Sequence, residues 1–222
     1  MKLNQYIDHT KLGPLVTRAD IEKLCQEARE FNFKSVCVSP IWISLAKELL
    51  EGSNVLVCTV IGFPFGTHLP KVKAFETKEA IKLGAEEIDM VIDIDAVKAQ
   101  DRKRVLKDIK SVVKAANGKV VKVIIETAYL STKEITFVSK IAVKAGATFV
   151  KTSTGYATRG ASFDDIVTIK KAVKEDALIK ASGGIRSQED AFKMIEKGAN
   201  RLGTSSGIKL IKGENTNGNS SY

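Results

Sequence analysis

The chain is poor in the residues on which metal, disulfide and nucleic-acid chemistry depend. Its three cysteines, Cys25, Cys37 and Cys58, show no paired spacing. That excludes a disulfide framework and a Cys-x-x-Cys zinc site, and it fits a reducing cytoplasm. His9 and His68 are the only histidines, too few for a catalytic zinc held by several imidazoles, so neither a metal nor a cofactor is expected. Aromatic residues make up 6% of the chain, and no basic run is interleaved with them. The formal net charge of +9 therefore reads as solvated helix faces with a weak pull on an anionic small molecule, and no nucleic-acid partner is expected. No run approaches the roughly 18 apolar residues of a membrane span, so no membrane role is expected. The opening Met1–Tyr6 lacks the apolar core of a signal peptide.

What is present is alternation. Eight β-rich runs are predicted, at Ile7–Thr10, Ser35–Val38, Val55–Ile61, Glu87–Ile92, Val120–Glu126, Thr148–Lys151, Leu178–Ala181 and Arg201–Gly203. Several are continuously apolar, as parallel strands buried on both faces must be. Between them lie helical stripes such as Ile21, Leu24, Cys25 and Ala28, preceded by cap signatures at Thr17-x-x-Asp20, Ser131-x-x-Glu134, Ser162-x-x-Asp165 and Ser187-x-x-Asp190. A joint recurs three times: Lys82-Leu83-Gly84-Ala85, Lys144-Ala145-Gly146-Ala147 and Lys197-Gly198-Ala199 each join a helix end to a strand. Eight βα units in 222 residues predict one (β/α)8 (TIM) barrel over residues 1–212, followed by a flexible polar tail over 213–222; an open doubly wound sheet is the alternative.

In such a barrel the chemistry sits at the C-terminal strand ends. The polar residues found there are Asp8 and Thr10, Cys37, Thr59, Asp89 and Asp93, Lys122 and Glu126, Lys151, Lys180, and Gly203-Thr204-Ser205. Lys151 ends one apolar strand and Lys180 the next. Two adjacent ammoniums, both desolvated, depress each other's pKa and leave the free amine that a Schiff base requires. The competing reading is two strand-end charges reaching solvent. Asp89 lies mid-strand among apolar residues, where a carboxylate must be paired. It reads as the lysines' partner and a proton shuttle, or as a structural salt bridge. Lys122 faces inward by alternation and reads as a counter-ion for Asp89. Cys37 reads as a small core residue or as an exposed thiol open to aldehydes, and His9 as a structural hydrogen-bonder. Ser182-Gly183-Gly184 and Gly203-Thr204-Ser205-Ser206 follow strands seven and eight, where barrel phosphate sites form. Thr154 and Gly155, after Lys151, add a hydroxyl and a flexible turn.

Seven segments together resemble the deoxyribose-phosphate aldolase family: Ile7-Asp8-His9-Thr10, Val36-Cys37-Val38, Glu87 to Ile92, Lys122 to Thr127, Val150 to Gly155, Lys180 to Arg186 and Arg201 to Gly207. The resemblance runs from about Ile7 to Ile211. It implies a class I aldolase that interconverts 2-deoxy-D-ribose 5-phosphate with acetaldehyde and D-glyceraldehyde 3-phosphate in deoxynucleoside catabolism. Its implied partners are small phosphosugars and aldehydes, and a homodimer is compatible with it. Lys151 would form the Schiff base, with Asp89 and Lys180 as proton donors and acceptors working through a water. Asp8, Lys122 and Cys37 would support the pocket. Thr154, Gly155, Ser182, Gly183, Gly184, Gly203, Ser205 and Ser206 would hold the phosphate. Tyr222 is placed to reach the site from the tail. The chain departs from the family pattern at Asp93-Ile94-Asp95, which adds two acids near the mouth. Another phosphosugar-binding barrel aldolase or isomerase is the alternative.

Overall fold

The computed structural model describes residues 2–214; the expected polar tail from residue 215 onward, Tyr222 included, lies outside them. Eight parallel strands close on themselves in chain order: β1 (Ile7–Lys11), β2 (Ser35–Val38), β3 (Leu56–Ile61), β4 (Glu87–Val91), β5 (Val120–Ile124), β6 (Phe149–Lys151), β7 (Leu178–Ser182) and β8 (Arg201–Thr204). The helices α1 (Arg18–Glu30), α2 (Ile43–Leu49), α3 (Pro70–Lys82), α4 (Ile94–Lys98), α5 (Arg102–Ala116), α6 (Thr132–Ala145), α7 (Phe163–Val173), α8 (Gln188–Glu196) and α9 (Gly207–Lys212) intervene. This is the closed (β/α)8 barrel that the alternation predicts, not an open sheet. No helix among the described residues is long and apolar enough to cross a membrane.

The local signals act as their chemistry requires. Thr17, Ser131 and Ser162 form reciprocal capping boxes with Asp20, Glu134 and Asp165, each worth about 1 kcal/mol of helix stability. The fourth box is one-sided. Ser187 accepts from the Asp190 N–H, but the Asp190 carboxylate takes the Arg186 N–H at 3.1 Å instead of that of Ser187. At the recurring joint, Gly146 closes α6 at φ 89°, a left-handed turn that costs a residue without Cβ little.

Seven strands differ from expectation at one end, six of them by one residue and β5 by two. β5 stops at Ile124 because Glu126 takes φ 53°, ψ 69° and turns its side chain out of the ladder. β7 runs on to Ser182. Between barrel and helices the core is aliphatic, with Ile88, Met90, Val123, Val150, Ile179 and Leu202 buried on the outward faces of their strands. The inward faces, read from the same alternation, carry the charges.

Candidate active site

Register sets the site. Asp89 pairs with Lys122 across β4–β5, and Lys151 with Lys180 across β6–β7, which lines up with Arg201 on β8. Asp8 on β1 lies beside Gly203 of β8. All six charged side chains point into the barrel and, with Glu87, form one network of charges. Lys151 Nζ and Lys180 Nζ each lie 2.8 Å from the same oxygen, Asp89 Oδ2. Lys122 Nζ is 2.9 Å from Asp89 Oδ1 and 2.6 Å from Glu87 Oε2. Lys180 also meets Asp8 Oδ2 at 2.5 Å. Arg201 spans Asp8 at 2.6 Å and Glu87 at 3.1 Å, and the Ser35 hydroxyl donates to Asp8 at 2.6 Å.

The structure thus brings Lys151, Lys180 and Asp89 together, with Asp8 and Lys122 around them. It also corrects the electrostatics expected of Lys180. Burial pushes Lys180 down, but Asp8 and Asp89 together outweigh it and hold its ammonium above the ordinary amine range. Burial would raise Asp89, yet Lys122, Lys151 and Lys180 hold its carboxyl well below the usual carboxylate range. Lys180 therefore rests as the ammonium and Asp89 as the carboxylate. The carboxylates between the two amines, invisible as contacts in a one-dimensional reading, are the reason. Four cations (Lys122, Lys151, Lys180, Arg201) face three carboxylates (Asp8, Glu87, Asp89). Among the ion pairs that join these seven groups, Lys151 takes part in one, and it stands at the C-terminal end of its strand.

Glu87 and Arg201 escaped the sequence reading. The signal was there: Glu87 shares a face with Asp89 two residues on, and Arg201 is a charge inside an apolar strand. Cys37 is 0% exposed, which agrees with its reading as a small core residue and rules out the alternative of a thiol open to aldehydes. It packs with Leu12, Cys58, Val60 and Phe63 as an apolar wall on the β1–β3 side. A hydrogen bond with Cys58 holds its thiol below the ordinary range against the opposing effect of burial. Cys37 Sγ, Cys58 Sγ and an Asp89 oxygen lie within 4.8 Å of one another. A metal there would have to displace the Lys122 ammonium, which sits 3.3 Å from Cys58 Sγ. His9 Nε2 lies 2.8 Å from Glu27 on α1, a structural contact.

On the β7–β8 side, Gly183 (φ 69°) and Gly184 (φ 74°) form a turn, and the Ser182 hydroxyl beneath them is buried without a partner. The Gly183 N–H donates to the Gly203 carbonyl at 3.4 Å. Gly203 lets β8 approach β7: a Cβ there would lie 2.4 Å from Ser182 Oγ and 3.0 Å from Lys180 Cε. Ser206 N–H is taken by Thr204 Oγ1 at 3.0 Å. Thr154 is placed otherwise than expected. Its hydroxyl and its N–H both donate to Glu126 Oε2, the latter at 3.2 Å, so its donors are spent on a carboxyl group. Asp93 caps α4 through the Ala96 N–H, and Arg104 bridges Asp93 (2.6 Å) and Asp95 (2.8 Å). The two extra acids are thus neutralised outside the barrel. A depression of about 670 Å³ beside Lys47 and Glu86 opens at the opposite, N-terminal end of the strands, away from these groups.

A closed parallel barrel with lysines gathered on one carboxylate at its mouth defines a class: barrel enzymes that act on small carbonyl compounds. Within it, the chain belongs to the DeoC/LacD family of aldolases, whose family model matches residues 2–221. It is 78% identical over 222 residues, the full length of both chains, to the deoxyribose-phosphate aldolase of Acholeplasma laidlawii (strain PG-8A). It is 57% identical to that of Carboxydothermus hydrogenoformans, with 96% of this chain and 95% of that one covered. A solved structure, described as a unique tetrameric structure of deoxyribose phosphate aldolase from Aeropyrum pernix, superposes with a TM-score of 0.88 at 34% identity, covering 95% of this chain and 89% of that chain.

Proposed function

We propose that the protein is a class I aldolase that reversibly cleaves 2-deoxy-D-ribose 5-phosphate to D-glyceraldehyde 3-phosphate and acetaldehyde, with Lys151 as the Schiff-base residue. The observation that carries the reading is the meeting of Lys151 and Lys180 on one oxygen of Asp89, in a chain so similar over its full length to a relative of that name. Lys151 is the cation of the buried network with the fewest carboxylate contacts. Its neutral amine adds to the C1 aldehyde. Lys180 and Asp89 donate and accept the protons that carbinolamine formation and loss of water move at that nitrogen. The protonated imine then accepts the electron pair of the C2–C3 bond and becomes an enamine. The C3 hydroxyl loses its proton and becomes the aldehyde of the released product. Protonation of the enamine carbon and hydrolysis free acetaldehyde and restore Lys151.

The phosphate rests on the Gly183-Gly184 turn, the Ser182 hydroxyl and the Gly203–Ser206 segment, with Gly155 at the rim and Thr154 left out. Anchoring there supplies orientation at the distant bond. Asp8 and Lys122 hold the network in place, and Cys37 belongs to the apolar wall. The free, buried cysteines suit a reducing cytoplasm. A homodimer or larger assembly is proposed on the apolar strip of Phe65, Leu69, Val72 and Phe75, exposed along the β3–α3 loop and α3; light scattering that returns a monomer at micromolar concentration removes it. The decisive experiment is borohydride reduction in the presence of acetaldehyde. The adduct maps to Lys151 and is absent from Lys151→Ala. Full labelling of that variant would overturn the assignment.

A further inference from the structure

Cys37 of β2 and Cys58 of β3 stand abreast in the register of the barrel. Both are fully buried, and the carbon–carbon chemistry uses neither thiol. Their sulfurs lie within 4.8 Å of each other and of an Asp89 oxygen. The Cys58 thiol donates to Asp89 Oδ1 at 3.1 Å, and its sulfur accepts from the Lys122 ammonium at 3.3 Å. Phe63, just past the end of β3, packs on the pair and is itself only partly buried. Adjacent strands run roughly 4.8 Å apart, inside the roughly 4.4–6.8 Å over which a disulfide joins two Cα atoms. The third cysteine, Cys25, lies on α1 outside the barrel.

We propose that Cys37 and Cys58 form a reversible modification site: hydrogen peroxide entering by the barrel mouth joins them in a disulfide, which takes the Cys58 thiol away from Asp89 and halts turnover. The bond itself is independent of the aldolase assignment; its effect on turnover rests on the proposed roles of Asp89 and Lys151. The step balances. The Cys37 thiolate attacks one peroxide oxygen, the O–O bond breaks, and the departing hydroxide takes up the proton that Cys37 gave. The Cys58 sulfur then displaces the hydroxyl of the resulting sulfenic acid, and its own proton leaves with that oxygen as water. Two thiols are oxidised, and one peroxide is reduced to two waters.

The surroundings divide the roles. A hydrogen bond with Cys58 holds the Cys37 thiol below its ordinary range, and burial raises that of Cys58 well above it, so Cys37 attacks first. Lys122, beside Cys58, stabilises the second thiolate as it forms. An aldehyde adduct would need room that the packed wall of Leu12, Val60 and Phe63 lacks. Peroxide is little larger than water, and the bond between the sulfurs leaves no added atom behind. Side chains abreast in a parallel sheet keep their Cβ atoms about one strand spacing apart, wider than the roughly 3.8 Å of a relaxed disulfide. The link is therefore strained and readily reduced, as a reversible bond must be.

Peroxide treatment of the whole protein tests the site. Cleavage of 2-deoxy-D-ribose 5-phosphate is expected to fall roughly 10- to 100-fold, the scale on which displacement of a reacting group acts, and dithiothreitol is expected to restore it. A non-reducing digest should join the Cys37 peptide to the Cys58 peptide with the loss of two hydrogens in mass. Cys37→Ala and Cys58→Ala, each compared with its own untreated rate, should keep that rate under the same dose, and either decides if the other does not fold. Cys25→Ala should respond to peroxide as the wild type does. Absence of the linked peptide at millimolar peroxide overturns the proposal. So does a link that leaves turnover unchanged, inactivation that dithiothreitol does not reverse, or equal inactivation of both barrel variants. Untreated protein that fails to cleave the sugar phosphate strikes the aldolase reading instead, and the peptide map still decides the bond.

Discussion

Two of the places where the protein buries charge treat it in opposite ways. Between α3 and α5, outside the barrel, Lys73 meets Asp108 at 2.8 Å, both fully buried. The Lys73 ammonium also donates to the Val91 carbonyl at 2.8 Å, and Asp108 accepts the Asp93 N–H at 2.9 Å. One cation faces one anion, and both are tied to backbone at the end of β4. Inside the barrel, four cations face three carboxylates, and the surplus amine stands at the mouth. A balanced pair bonded to backbone fixes structure, because neither partner gains by changing its charge. An unbalanced cluster leaves one cation without a carboxylate of its own, and the proposed reaction uses the member that a substrate can reach. Burial alone does not separate the two regions; the count of charges and the direction of the odd member do.

The largest effects follow from removing each lysine in turn. Lys151→Ala should lower turnover by roughly 10⁴-fold or more, the scale on which removal of a covalent nucleophile acts. It leaves three cations facing three carboxylates, so its thermal midpoint should equal or exceed that of the wild type. A marked fall in the midpoint would show that Lys151 is structural and dissolve the contrast. Lys73→Met should do the reverse. It strands Asp108 in the interior and should cost about 3–5 kcal/mol of stability, while acetaldehyde trapping per folded molecule persists. Burial already raises the Asp108 carboxyl despite Lys73. A raised carboxyl binds protons more tightly in the folded state, so stability is lost as pH climbs from its unfolded to its folded pKa. Without Lys73 that folded value rises further, and the variant should regain stability on acidification. Urea midpoints across pH check this, and a flat profile counts against an unpaired Asp108.

How much of this was legible follows from which patterns are local. Strand identity and order could be read because buried parallel strands announce themselves in runs such as Val120–Ile125, with caps at Thr17, Ser131 and Ser162. Asp89, Lys151 and Lys180 could be read because a charge in an apolar strand has few explanations. The pairing of Lys180 with Asp8 could not, since it joins residues at opposite ends of the chain through barrel closure. For the same reason the carboxylates of β1 and β4 that hold Lys180 as a cation are not visible from the two lysine strands alone. Lys73 and Asp108 carry no local signal of burial, and the packing of α3 against α5 buries them. Glu126 was visible as a polar strand end, but its left-handed turn and the capture of Thr154 depend on the loop after β6. That capture also removes Thr154 from the expected phosphate contacts.

A smaller substitution sharpens the same contrast within the site. Gly203 lies where β8 passes closest to Lys180 and Ser182. Its φ is not in the left-handed region, so alanine is free to adopt the backbone, and the cost is steric alone. A methyl group would sit 2.4 Å from Ser182 Oγ and 3.0 Å from Lys180 Cε. Both are side-chain atoms able to shift, which places the penalty at the low end of overpacking, about 1 kcal/mol. The Ser182 hydroxyl must turn away, and that hydroxyl belongs to the proposed phosphate side. Gly203→Ala should therefore raise KM for the sugar phosphate several-fold while acetaldehyde, which carries no phosphate, is still trapped on Lys151 at the wild-type rate. If trapping slows as much as KM rises, the methyl group acts through Lys180 and the charge network, and the separation of phosphate side from amine side at this strand pair fails.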